Sequence, residues 1–178
     1  MASSFSMTRV IEFCETDMAG IAHFSNFYRW MEQAEHAFFR SLGLTIANEQ
    51  VDGTIIGFPR VSASCRFVSP AKFEDELTVQ LQVRRIGVKS LTYDAIFSIN
   101  DRLVAKGALK TACCQFRPGE SLQSIVIPDL YLSKIEEYSE FSIKTAELAV
   151  VSLADPGTSR AHERPWISEL RGLGGPEA

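Results

Sequence analysis

No apolar stretch in this chain approaches the roughly 20 residues that span a bilayer, and its opening, Met-Ala-Ser-Ser-Phe-Ser, lacks the basic and apolar regions of a signal peptide. A cytoplasmic protein without membrane insertion is expected. There is no basic surplus either: 18 Lys and Arg stand against 22 Asp and Glu. No basic face stands out that would neutralise a row of phosphates, which argues against a nucleic-acid partner. The four cysteines, Cys14, Cys65, Cys113 and Cys114, form no CxxC pair. A thiolate metal site is therefore not expected, and four free thiols, mostly buried as small apolar residues, are.

Apolar residues make up 46% of the 178, enough for one globular core without disulfide or metal staples. From Asp155 the chain turns to Pro, Gly, Ser and charge without period. The division expected is a domain over 1–140 and a C-terminal extension over 141–178, partly loose or disordered.

Hydrophobic period sets the elements. A short apolar alternation over Met7 to Phe13 predicts a strand. From about Ser25 to Leu42, Phe27, Trp30, Met31, Ala34, Phe38 and Leu42 recur at three and four residue intervals while Arg29, Gln33, His36 and Arg40 fall mostly elsewhere, which predicts one long helix. Ser25 or Asn26 is the expected cap, and Gly43 the end. The period then becomes 2. A strand is predicted from near Ile55 through Val61, Ala63, Cys65 and Phe67, then two more through Leu77 to Val83 and Leu91 to Ile99. Asn100-Asp101 turns into a fourth run from about Leu103 to Phe116, and Pro128 to Tyr138 suits a short second helix. Connections this short force antiparallel pairing, and the helix has only the concave face of the sheet to cover. The expected class is α+β, a long central helix wrapped by an antiparallel sheet of about five strands.

The stretch from Ile11 to Trp30, IEFCETDMAGIAHFSNFYRW, carries the chemistry. Asp17 is placed where a loop can hold a carboxylate, Gly20 permits backbone conformations that let the loop approach a ligand closely, and the first free amides of the helix follow near Phe24. Such amides polarise a thioester carbonyl and stabilise the oxyanion formed on it. An aspartate, a glycine three residues on and an Asn-aromatic pair at a helix start resemble the hotdog-fold thioesterases of the 4-hydroxybenzoyl-CoA thioesterase family. The likeness continues through Trp30, Phe39, Gly43-Leu44, Gly57-Phe58-Pro59, Phe67, the Phe73 to Leu77 turn and Lys89-Ser90-Leu91, roughly residues 7 to 140.

The resemblance implies hydrolysis of an aromatic or short-chain acyl-CoA, with Asp17 as nucleophile or general base, the Phe24 amide as oxyanion donor and Gly20 in the catalytic loop. It implies that Asn26 and Phe27 set the loop and helix geometry at the substrate, and that Lys89 and Ser90 contact coenzyme A, which enters as part of the substrate; no cofactor is expected. It also implies a homo-oligomer, a dimer or a dimer of dimers forming a homotetramer, with each site lined by two chains. Family members with a histidine in the aromatic-x-Asn-aromatic segment differ from this chain, which has Phe24 there and His23 one residue earlier. His23 is expected to line the substrate pocket rather than to catalyse.

Each residue has a plainer role too. Asp17 can be a turn residue and Gly20 can serve that turn. Glu32 and Glu35 lie on or beside the apolar stripe; the plainer role is a solvated glutamate, the functional one a carboxylate reaching into the acyl pocket, and Glu32 is taken as the substrate contact. Cys14 is expected as a packed thiol on a strand rather than a nucleophile. Two other classes stand beside the hydrolase. A hydratase or dehydratase on the same fold is disfavoured, because Asp17 lacks a preceding Gly and a following Asn-Pro and lies six residues from His23. A noncatalytic acyl-thioester or acyl-carrier-protein binding module is the alternative.

Overall fold

The computed structural model describes residues 1–139; the expected extension lies outside them. In order, the elements are β1 (Ser4–Val10), a 3-10 turn (Phe13–Glu15), α1 (Phe24–Ser41), β2 (Ala47–Glu49), β3 (Ile55–Gly57), β4 (Arg60–Phe67), β5 (Glu76–Ile86), β6 (Ser90–Ile99), β7 (Arg102–Ala112), β8 (Cys114–Phe116), β9 (Gln123–Ser124) and α2 (Asp129–Leu132). Two antiparallel sheets form, one of five strands ordered β1-β5-β6-β7-β4 and a small one ordered β2-β3-β8-β9. No helix among the described residues is long and apolar enough to cross a membrane.

The helix stripe and the strand alternation meet in one core. Phe27, Trp30, Met31, Ala34 and Phe38 of α1 are buried, as are Leu77, Val79, Leu81 and Val83 of β5 and Leu91, Tyr93, Ala95 and Phe97 of β6. Each such side chain contributes on the order of 1.5–3 kcal/mol on leaving water. Phe27 packs edge-on against both Phe67 and Phe97, with ring centroids 5.1 Å apart in each case, and so ties the first turn of α1 to the sheet.

Several local expectations are corrected. The first strand ends at Val10, because Ile11 N–H bonds Asp75 and the chain then coils into the 3-10 turn. Cys14 therefore sits on that turn and is exposed, not packed on a strand. The helix starts at Phe24 and its cap is His23, whose Nδ1 accepts from Ser25 N–H at 3.4 Å and lies 2.8 Å from Ser25 Oγ. Gly43, at φ +65°, ends it as expected. The run from Ile55 to Phe67 is two strands in different sheets, split after Gly57. The run from Leu103 to Phe116 is likewise split at Cys113, whose N–H is drawn to Lys89 O and whose carbonyl accepts from Ile125. The second helix shrinks to four residues.

On β4 the alternation carries a break. Arg60 faces Thr111 and Ser62 faces Lys110, so one extra residue, Val61, bulges out between them. Ala63, Cys65 and Phe67 then oppose Leu109, Gly107 and Ala105, all buried against α1. The bulge puts Arg60, opposite buried Thr111, on that same helix-covered side. As the sheet's edge, β4 leaves its outer backbone unpaired among the described residues, and Val61 to Ser64 are exposed.

Candidate active site

The loop from Thr16 to Ala22 folds back on itself through an antiparallel bridge between those two residues. Asp17 N–H donates to Ile21 O at 2.9 Å, Gly20 N–H donates to Asp17 O at 2.9 Å, and Ala19 N–H donates to Asp17 Oδ1 at 2.8 Å. One carboxylate oxygen is thereby fixed while Oδ2 has no hydrogen-bond partner among the described residues. Gly20 makes the reversal at φ +70°, a conformation a side chain would strain.

A second tier holds the loop against α1. Glu15 O accepts from His23 N–H and from Asn26 Nδ2, both at 2.8 Å. The Glu15 carboxylate is ion-paired with Arg9 and accepts from Trp30 Nε1 at 3.1 Å, and the Arg9 guanidinium lies 4.8 Å from the Trp30 ring centroid. Glu15 is thus the anchor of the site's loop. Its role was not read from the sequence, because a glutamate two residues before an aspartate carries no spacing signal.

Asp17 and Phe24 line one cavity of about 380 Å³ together with Ile21, Ala22, Phe27 and the segment Phe67 to Ala71. The Phe24 amide opens α1, so no intrahelical carbonyl is available to it, and none of the described residues accepts its proton. Phe24, whose amide begins the helix dipole, and Asp17, with its free carboxylate oxygen, therefore border the same mostly apolar space. Phe67 belongs to the stretch of likeness read from the sequence, whereas Val68 to Ala71, far along the chain from Asp17, were not anticipated. Ala71 O holds Ala22 N–H at 2.7 Å, which closes that wall onto the loop.

The other anticipated residues are distributed differently. Asn26 is buried and bonds Glu15; Phe27 is buried and lines the cavity. His23 caps the helix and is not among the residues lining the Asp17 cavity. Lys89 is exposed, its Nζ donating to Ser124 O at 3.1 Å, and Ser90 opens β6. Glu32 borders a separate cavity of about 590 Å³ beside Glu35, His36, Phe58 and Arg60. Glu35 is fully buried, which corrects the expectation of a solvated glutamate. Burial pushes its carboxyl up, while Arg60 pulls the other way.

Residues 19–106 match the model of the Thioesterase superfamily. A 4-hydroxybenzoyl-CoA thioesterase of Pseudomonas sp. (strain CBS-3) is 31% identical over 137 residues, 74% of this chain and 97% of that one. The chain belongs to the thioesterase superfamily. The solved structure of that Pseudomonas enzyme superposes with a TM-score of 0.64 at 28% identity, covering 74% of this chain and 99% of the other. A gentisyl-coenzyme A thioesterase superposes with a TM-score of 0.62 at 30% identity, covering 73% and 98%. The helix wrapped by a sheet is the hotdog fold of this superfamily, and the protein is a thioester hydrolase.

Proposed function

We propose that the protein hydrolyses an aromatic acyl-CoA, of the 4-hydroxybenzoyl kind, to the free acid and coenzyme A, with Asp17 as the reacting carboxylate. The observation that carries this reading is the shared cavity of Asp17 and the Phe24 amide, one offering an unpartnered carboxylate oxygen and the other an uncommitted N–H. The names of the relatives, one acting on 4-hydroxybenzoyl-CoA and one on gentisyl-CoA, support an aromatic acyl group. So do Phe24, Phe27 and Phe67 around the cavity.

In the proposed reaction the carbonyl oxygen points at Phe24 N–H, which takes up the negative charge as the carbon becomes tetrahedral. Asp17 either attacks that carbon itself, with water later cleaving the acyl-aspartate, or draws a proton from the water that attacks. Both routes break the carbon–sulfur bond, release the thiol of coenzyme A after protonation, and leave water's oxygen in the acid. Lys89, solvent-exposed on the β5–β6 turn, is our candidate for a coenzyme A phosphate, beside Ser90.

We further propose that the active form is a dimer, or a dimer of dimers, built by pairing β4 with β4 of a second copy. An open eight-residue edge with Val61 and Phe67 exposed invites another strand. At the opposite edge, β1 turns Phe5 and Met7 inward against the core. Four free thiols suit a reducing cytosol.

The test is Asp17→Asn, followed by thiol release from benzoyl, hydroxybenzoyl and graded aliphatic CoA thioesters. A fall in kcat of about a hundredfold or more, in a variant with unchanged unfolding, is expected. Equal rates in the two proteins would remove Asp17 from the chemistry.

A further inference from the structure

Glu15 lines neither of the two cavities described above, yet its side chain is fully engaged. Oε1 accepts from Arg9 Nη2 and from Trp30 Nε1, while Oε2 accepts from Arg9 Nη2 and, at 2.9 Å, from Glu12 N–H. A carboxylate offers about four acceptor sites, and all are used. The donors come from three places: β1, the 3-10 turn itself and α1. Arg9 is held in turn by Gln33 Oε1 at 3.2 Å and by the face of Trp30, and the Arg9 and Glu15 side chains are each only 15% exposed. The carboxylate cannot swing away without breaking several of these contacts at once.

The backbone of the same residue faces the reacting groups. Its carbonyl oxygen takes two donors, His23 N–H and Asn26 Nδ2, which uses both lone pairs. His23 carries the carbonyl carbon to which the Phe24 nitrogen is bonded, so this contact fixes the peptide unit that presents the Phe24 amide. Asp17 follows Glu15 by two residues, through Thr16, whose N–H is tied to Phe13 O at 3.1 Å. The reacting carboxylate and the oxyanion donor are therefore referred to one peptide. A misplacement of about 1 Å between reacting groups can cost on the order of a hundredfold in rate. Removing the Glu15 side chain would leave the backbone bonds in place but take away the clamp that holds them still. The cavity walls would not change, because no Glu15 atom belongs to them.

We propose that Glu15 is a positioning residue of the thioesterase reaction: clamped by Arg9 and Trp30, it sets Asp17 and the Phe24 amide in register with each other without touching the substrate. The inference rests on the thioesterase reading and adds to it a residue outside the cavity on which kcat depends and substrate binding does not.

The test measures turnover of the aromatic CoA thioester that wild type cleaves fastest, in wild type, Glu15→Gln, Glu15→Ala, Arg9→Met, the double variant Arg9→Met with Glu15→Ala, and Asp17→Asn. Calorimetric titration with phenacyl-CoA, a thioether that cannot be hydrolysed, gives the affinity and, from its stoichiometry, the fraction of competent sites by which kcat is divided. Glu15→Ala is expected to lower kcat per site about tenfold or more while KM and analogue affinity stay within about twofold. Glu15→Gln, which can still accept from Trp30 and Glu12 but has no charge for Arg9, is expected to fall between. The double variant is expected to match Glu15→Ala, because Arg9 acts through Glu15. An unchanged kcat per site in Glu15→Ala, a loss confined to KM, or a double variant whose loss is the product of the single losses overturns the proposal. Amide hydrogen exchange supplies a second measurement that needs no turnover. In Glu15→Ala the amides of Asp17, Gly20 and His23 are expected to exchange about tenfold faster while those of β5 and β6 keep their wild-type rates. Unchanged loop rates, or equal acceleration throughout the fold, overturn the proposal as well. Should Glu15→Ala not fold, the same measurements on Glu15→Gln and Arg9→Met decide. If wild type cleaves no thioester, or Asp17→Asn is as fast as wild type, the hydrolase reading falls, and exchange alone decides whether Glu15 holds the loop.

Discussion

The Cys14 sulfur stands in solvent 3.5 Å from Glu12 Oε2, and the hydrogen bond to that carboxylate, then the small desolvation and the charges of Glu12 and Glu15, push the thiol's pKa up. Burial pushes Cys65 and Cys113 up to about 11. Since the thiolate is the reactive form, alkylation by iodoacetamide at neutral pH is expected to label Cys14 first of the four, though more slowly than a free cysteine, and Glu12→Gln is expected to speed it. Mass mapping of the labelled peptides checks both. Cys14 was expected packed on a strand, and its exposure was not legible because the strand was read three residues too long. Asp17, Gly20 and Phe24 were legible because one contiguous stretch brings them together. Glu15, Arg60 and the Val68 to Ala71 wall escaped, because their partners are set by strand register and loop closure rather than by local spacing.

At the scale of elements, the helix and the inner strands followed directly from their periods, because a single buried face dictates each. The runs ending at Phe67 and Phe116 misled because alternation continues while the chain passes from one sheet to the other: the period records which side is buried, not which sheet supplies the neighbour. The contact between α1 and the sheet is tight where Gly107 of β7 lies under Met31. A Cβ at Gly107 would collide with Met31 Sδ and stand 3.3 Å from Ser64 O. Met31 is fully buried, so it has little room to yield. Gly107→Ala is expected to destabilise by about 1–3 kcal/mol in urea titration, and combination with Met31→Ala should be less than additive because the two side chains compete for one space.

For the whole molecule, the proposed pairing through β4 makes a statement about mass in solution. Val61→Lys, which places a charge on the exposed edge, is expected to shift the protein toward monomer in sedimentation, and an unchanged mass would take β4 out of the seam. Antiparallel pairing and a helix-covered sheet were legible from the short connections, whereas the open edge was visible only once β4 was known to lie outermost. The bulge at Val61 also decides which charge the buried end of α1 meets. Because the extra residue lies in solvent and outside the core, losing it would turn the Arg60 end by one face and take its guanidinium away from buried Glu35, while Phe67 and the Asp17 loop keep their places.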